Sequence, residues 1–119
     1  MQDDVSSQVN AWKSQIKKGT LELAILALLA SKRSYGLELL EQLNELDLEI
    51  SEGSIYPVLS RLRNEKKVTA NWVDEAAGHS HKFYSLTPYG RQILGKMIAA
   101  WGEYTKAING AIGKVHPHE

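Results

Sequence analysis

The 119-residue chain has no cysteine, only three prolines and one phenylalanine, no excess of either charge, and no apolar run long enough to cross a bilayer. Without cysteine there are no disulfides, no thiolate zinc ligands and no thiol nucleophile, and a reducing, cytoplasmic setting fits best. Fourteen basic residues balance fourteen acidic ones, so the chain is neither a basic arm nor an acidic solvating polymer. Any polyanion has to be met by a local patch. The longest apolar stretch, Leu23 to Ala30, falls well short of the roughly 20 residues a membrane-spanning helix needs. Neither a membrane partner nor a signal peptide is expected. With 24% charged and 43% apolar residues, one globular domain around a single core is the expectation.

Apolar spacing supplies the order of elements. Val5, Val9, Trp12 and Ile16 step by 4, 3 and 4, one face of a short amphipathic helix over residues 1–18 that needs a partner surface. Gly19 is expected to end it, and Thr20 to cap a second, nearly all-apolar helix over Leu21 to Ser31 that sits inside the core. Ser34-Tyr35-Gly36 opens a third helix with Leu37, Leu40, Leu43 and Leu46 facing inward and Glu38, Glu41 and Glu45 on a solvated side. In Glu52 to Lys66, Ile55, Val58, Leu59 and Leu62 form the inner stripe while Arg61 and Arg63 project outward. Pro57 falls near the first turn, where a missing N–H costs least. Val68 to Val73 and His81 to Leu86 read as a two-stranded hairpin with a long turn, in which Trp72 is taken as core packing. Thr87-Pro88 starts a last helix. Along it Ile93, Met97, Trp101, Tyr104, Ile108 and Ile112 step by 4, 4, 3, 4 and 4, a seam about 30 Å long at 1.5 Å per residue. One small domain cannot easily bury such a seam alone, so a homodimer is expected. The tail, 114–119, reads as flexible.

The resulting fold class is mainly α with a small β-hairpin: a winged helix-turn-helix over 19–86, preceded by the N-terminal helix and followed by a dimerisation helix over 87–113. Local charge agrees with it. Arg61, Arg63, Lys66 and Lys67 stand against Glu65 alone, whereas Glu38 to Glu49 holds five acids and no base. A basic patch on a neutral protein suffices for DNA, because affinity follows the phosphates neutralised locally.

Four segments carry a family resemblance. Lys18-Gly19-Thr20-Leu21-Glu22-Leu23, Tyr35-Gly36-Leu37-Glu38-Leu39, Ser51-Glu52-Gly53-Ser54-Ile55-Tyr56-Pro57-Val58-Leu59-Ser60-Arg61-Leu62 and Phe83-Tyr84-Ser85-Leu86-Thr87-Pro88-Tyr89-Gly90-Arg91 together resemble PadR-type transcriptional regulators, from about Lys18 to Arg91. The resemblance implies a dimeric repressor that binds a roughly palindromic operator and leaves it when a small, often aromatic, effector binds. It makes Ser54, Ile55, Tyr56 and Pro57 the exposed start of the recognition helix. Arg61 and Arg63 become phosphate contacts, and Lys17, Lys18, Tyr35 and, in the wing, His79, His81 and Lys82 further DNA contacts. Trp12, Ile93, Met97, Trp101, Tyr104 and Ile108 become the dimer seam or effector pocket. No cofactor is implied.

The sequence departs from the family pattern in two places. Arg63-Asn64-Glu65-Lys66-Lys67 lacks the usual glycine after the recognition helix, so Lys67 is expected to take a left-handed conformation. Histidines replace the usual arginines at the wing tip, so the wing is expected to grip more strongly below about pH 6.5.

Plainer readings stand beside these. His79 and His81, two apart on a strand, share a side, but with no Cys or third ligand near them a solvated or phosphate-facing wing is preferred to a metal site. His116 and His118 read as frayed tail. Glu38, Glu41 and Glu45 read as solvation rather than acid–base chemistry, and the serines have no His and Asp partners, so no enzyme is expected. The rival to DNA binding is a winged-helix interaction module that has lost it, for which the neutral charge and the histidine wing speak.

Overall fold

The computed structural model describes residues 2–75 and 78–115; His116, His118 and the middle of the wing turn lie outside them. Its elements are α1 (Gln2–Ser31), β1 (Ser34–Tyr35), α2 (Gly36–Glu45), α3 (Glu52–Asn64), β2 (Val68–Asp74), β3 (Ser80–Leu86) and α4 (Pro88–Ile112). The two helices expected before residue 32 are one. Gly19 does not break α1, because a single glycine costs only about 1 kcal/mol in a helix interior and strong formers flank it. Thr20 caps nothing; its hydroxyl donates back to the Ile16 carbonyl at 2.7 Å. α1 is therefore a rod about 45 Å long at 1.5 Å per residue.

The core gathers one face from each element. Ile25, Leu26, Leu39, Leu43, Ile55, Leu59 and Leu62 are fully buried, with Leu21, Leu29, Val68, Tyr84 and Leu94 around them. In α2 the inward stripe is Leu39 and Leu43; Leu37 and Leu46 are exposed, which corrects the spacing read from the sequence. α2 starts at Gly36, and the two residues before it form a strand. Tyr35 N–H donates to Glu38 Oε1 at 3.2 Å, so Glu38 satisfies a donor at the helix entrance and is not merely a solvated acid.

Ser34–Tyr35 adds a third strand to the hairpin, giving an antiparallel sheet in the order β1-β3-β2. Ser34 pairs with Tyr84, and Val68, Ala70, Trp72 and Asp74 pair with Leu86, Tyr84, Lys82 and Ser80. Directly opposed residues share a face. The inner face thus runs from buried Val68 and Tyr84 out to Trp72 and Lys82.

Two junctions fix α3. Between α2 and α3 the Asn44 side chain clasps Ile50 from both sides, accepting from its N–H at 2.9 Å and donating to its carbonyl at 3.2 Å, while Asp47 and Glu49 have φ of 61° and 52°. After α3 the left-handed residue is Lys66, φ 63°, one position earlier than expected. At the start of α4 Thr87 accepts from Gly90 N–H at 2.9 Å and donates to the Lys66 carbonyl at 2.7 Å. A Cβ at Gly90 would collide with the Lys67 carbonyl, so glycine is what lets α4 close on the root of the wing.

Candidate nucleic-acid interface

α3 presents two different faces. Ile55 is fully buried in the core, so its expected role in DNA contact is withdrawn: it anchors the helix. Ser54, Tyr56 and Pro57 are exposed beside it. The Tyr56 ring lies over Gly36, where an added Cβ would sit 2.5 Å from Tyr56 Cε1. That close approach explains why the first residue of α2 is a glycine, and it aims the ring between α2 and the wing. The Ser54 and Ser51 hydroxyls are 2.8 Å apart at the entrance to α3.

The basic run 61–67 divides in the same way. Arg61 Nη1 is 2.8 Å from Glu22 Oε1 and Lys67 Nζ is 2.8 Å from Glu22 Oε2, with Glu65 Oε1 at 3.4 Å from Arg61 and 2.9 Å from Lys67. Glu22 and Lys67 are each only 16% exposed in the side chain. Burial alone would raise the Glu22 pKa; the hydrogen bonds and charges of Lys67 and Arg61 together outweigh it and hold the carboxyl below its ordinary value. The hydrogen bond to Glu22 likewise raises both cations above their ordinary values. Arg61, expected as an outward phosphate contact, is therefore tied to α1, and Lys67 is spent on the same network. Arg63 and Lys66 are exposed and have no ion-pair partner among the described residues.

The other assigned cations and wing residues separate too. Lys17 Nζ donates to the Glu49 carbonyl at 3.3 Å, tying α1 to the turn before α3, whereas Lys18 is exposed. Tyr35 stacks on His81 with centroids 4.1 Å apart and meets Phe83 edge-on. Burial and the carboxylates of Glu38, Glu41 and Glu75 raise the Tyr35 phenol. His81 Nδ1 lies 3.2 Å from Glu75 Oε2, which ties the ring to the end of β2. His79 is exposed in the turn, where its carbonyl accepts from Glu75 N–H at 2.7 Å. No group of three His, Asp or Glu able to hold a metal occurs among the described residues.

Sequence reasoning missed Trp72. It is 69% exposed, not core, and with Lys82, Tyr84 and Tyr56 it lines a recess of about 360 Å³ whose rim Tyr35 and His81 reach. The alternation of Val68, Ala70 and Trp72 does place it on the core face; the core simply ends before it.

At the other end, α1 and α4 enclose an apolar groove of about 920 Å³ lined by Trp12, Ile16, Met97, Trp101, Tyr104 and Ile108 among others. Five of the six residues expected for a seam or pocket are brought together there. Ile93 is not; it packs on the core, one turn too close to the start of α4. Trp12 and Trp101 are 59% and 44% exposed, with apolar Val5, Val9, Ile98 and Ile112 extending the exposed stripe. Among the described residues no helix is long and apolar enough to cross a membrane.

Three helices, a wing beside the start of the third, and a helical extension define the winged helix-turn-helix class of DNA-binding proteins. The sequence model of the transcriptional regulator PadR-like family matches residues 25–96, well over half the chain. A PadR-like transcription factor from Bacteroides fragilis is 36% identical, with a TM-score of 0.71 over 85% of this chain and 98% of that one. A PadR-like transcriptional regulator from Bacillus cereus is 32% identical, with a TM-score of 0.77 over 86% and 99%. An uncharacterized protein from Lysinibacillus sphaericus is 28% identical over 82% of this chain and 92% of its own. The chain belongs to the PadR-like family of transcriptional regulators, whose members bind DNA and typically act as dimers and are not enzymes.

Proposed function

We propose that this protein is a homodimeric repressor that grips a roughly palindromic operator with two α3 helices about one DNA turn apart, ~34 Å. A flat aromatic effector in the α1–α4 groove releases it. The observation that carries this reading is the groove itself, where two indoles from helices at opposite ends of the sequence, Trp12 and Trp101, line one apolar space continuous with an exposed stripe too large for a monomer to leave in water. α3 supplies Ser54, Tyr56 and Pro57 to the major groove, and Arg63, Lys66 and Lys18 supply phosphate contacts that fix position rather than sequence. The effector acts only if it binds the two dimer geometries unequally.

Sedimentation of the purified chain, followed by mobility shift on DNA from upstream of its own gene, tests the reading. A dimer that shifts this DNA, and is released by planar aromatics that quench native fluorescence more than that of Trp101→Ala, is expected. A stable monomer at micromolar concentration would overturn it. One observation favours a second reading, a winged-helix interaction module: Glu22 and Glu65 already neutralise two of the four cations between residues 61 and 67. A dimer that shifts no DNA would select it.

A further inference from the structure

The fold leaves the indole of Trp72 largely exposed. It stands directly opposite Lys82 across the hairpin, on the sheet face that points to α3, and shares its recess with Tyr56. Burying a tryptophan removes 150–250 Å² from water, so one left 69% exposed forgoes most of that gain until a partner covers it. The charges around it select the partner. Lys82 is directly opposite, its Nζ 5.9 Å from the centre of the Tyr84 ring in the same recess, and Arg63 is exposed on α3. The first acid along this face is Asp74, two residues further out, and its carboxylate is engaged by the Ser80 hydroxyl at 2.5 Å. An apolar ring paired across the hairpin with a lysine matches a nucleic-acid backbone, in which each phosphate is followed by an apolar sugar face.

We propose that Trp72 is a DNA-contacting residue of the wing, its indole lying against the deoxyriboses next to the site entered by α3 while Lys82 takes the adjoining phosphate. This rests on the DNA-binding reading above and adds to it a contact by which the wing senses the width and path of the groove without hydrogen bonds to base edges. Trp72 and Tyr56 then grip neighbouring parts of one duplex, and the recess between them is the space the DNA strand occupies.

The probe is a duplex recovered by the purified chain from a pool of random-sequence duplexes, with hydroxyl-radical cleavage to report on individual sugars. Trp72→Ala should weaken binding about tenfold with an unchanged salt slope, and should lose protection of the sugars flanking the recognition-helix site. Trp72→Phe should recover most of both. Lys82→Ala should instead reduce the salt slope by about one. Native affinity and an intact footprint in Trp72→Ala would overturn the inference while leaving the DNA-binding reading standing. So would a drop in its thermal midpoint together with uniform loss of protection, the mark of a structural role. Failure of the native chain to retain any duplex would overturn both.

Discussion

Glu22→Gln is the most informative single change, because one carboxylate holds α1 to the end of α3 through two cations. Each oxygen serves a different partner at 2.8 Å, Arg61 on one and Lys67 on the other. Glutamine keeps the volume but removes the charge and turns an N–H₂ toward one of the cations. The Lys67 contact, with both side chains 16% exposed, is a charge-assisted hydrogen bond of about 1.5–3 kcal/mol. The Arg61 contact, nearly half exposed, adds less than about 1 kcal/mol. Glu65 keeps part of the attraction for both cations, so the expected loss is about 2 kcal/mol, or about 7 °C in thermal midpoint for a domain of this size.

The pH dependence distinguishes this cause from any packing defect. The Glu22 carboxyl sits below its ordinary value of 4.5 in the fold, so its contribution is complete above that value and disappears as pH falls through the lowered one. Arg61 and Lys67 sit above their ordinary values, so their contributions persist until strongly alkaline pH. Denaturant titrations of native and variant protein should therefore differ by a constant amount from pH 6 to 9 and converge in acid. The variant should also bind DNA with a salt slope steeper by about one, since cations held by Glu22 become available to phosphate. A gap that is the same at pH 3 and pH 7, or no gap at pH 7, would refute the assignment.

Other changes test other parts of the frame. Lys66→Gly should stabilise the fold by about 0.5 kcal/mol, because relief of a left-handed side-chain residue exceeds the added chain entropy; a raised urea midpoint at unchanged m checks it. Gly90→Ala should cost about 2–3 kcal/mol, since its Cβ meets the Lys67 backbone carbonyl rather than a flexible side chain, and calorimetry would show it. Arg63→Ala should lower the salt slope of DNA binding by about one, and Arg61→Ala by clearly less, because only the second is already paired; equal effects in mobility-shift titrations would contradict the division of the basic run.

The layout of helices and hairpin was legible because burial imposes period on sequence, and the buried positions of α3 followed from Ile55, Leu59 and Leu62 alone. Where the reading failed, competing local signals were weak. A glycine at position 19 costs too little to end a helix already propagated from both sides. β1 is two residues long and carries no alternation to detect, since its pairing is set by β3. The left-handed residue after α3 was expected from a missing glycine but placed one position late, because sequence does not say where the last helical turn closes. The Glu22 network was invisible for a different reason. Its members are 39 and 45 residues apart, and charge counting along the chain treats each cation as free until the fold supplies its acid.

The same limit governs the three tryptophans. Period assigns Trp12, Trp72 and Trp101 to apolar faces, and each does lie on one; what period cannot say is whether the covering surface comes from the same chain. In α3 it does, and the stripe there is 0% exposed at Ile55, Leu59 and Leu62. At Trp12 and Trp101 the helices run past the core, so their stripes meet only each other and leave a groove that a second chain or a flat ligand can fill. At Trp72 the hairpin outruns the core in the other direction, toward the cations of α3 and the wing. The exposed indoles thus stand in two separate places, one pair in the α1–α4 groove and one in the recess beside the wing. α1, unbroken across Gly19, joins Trp12 at the first to Glu22 at the root of α3, about 15 Å of continuous helix. The helix that lines the groove therefore also carries the acid that holds Arg61 and Lys67.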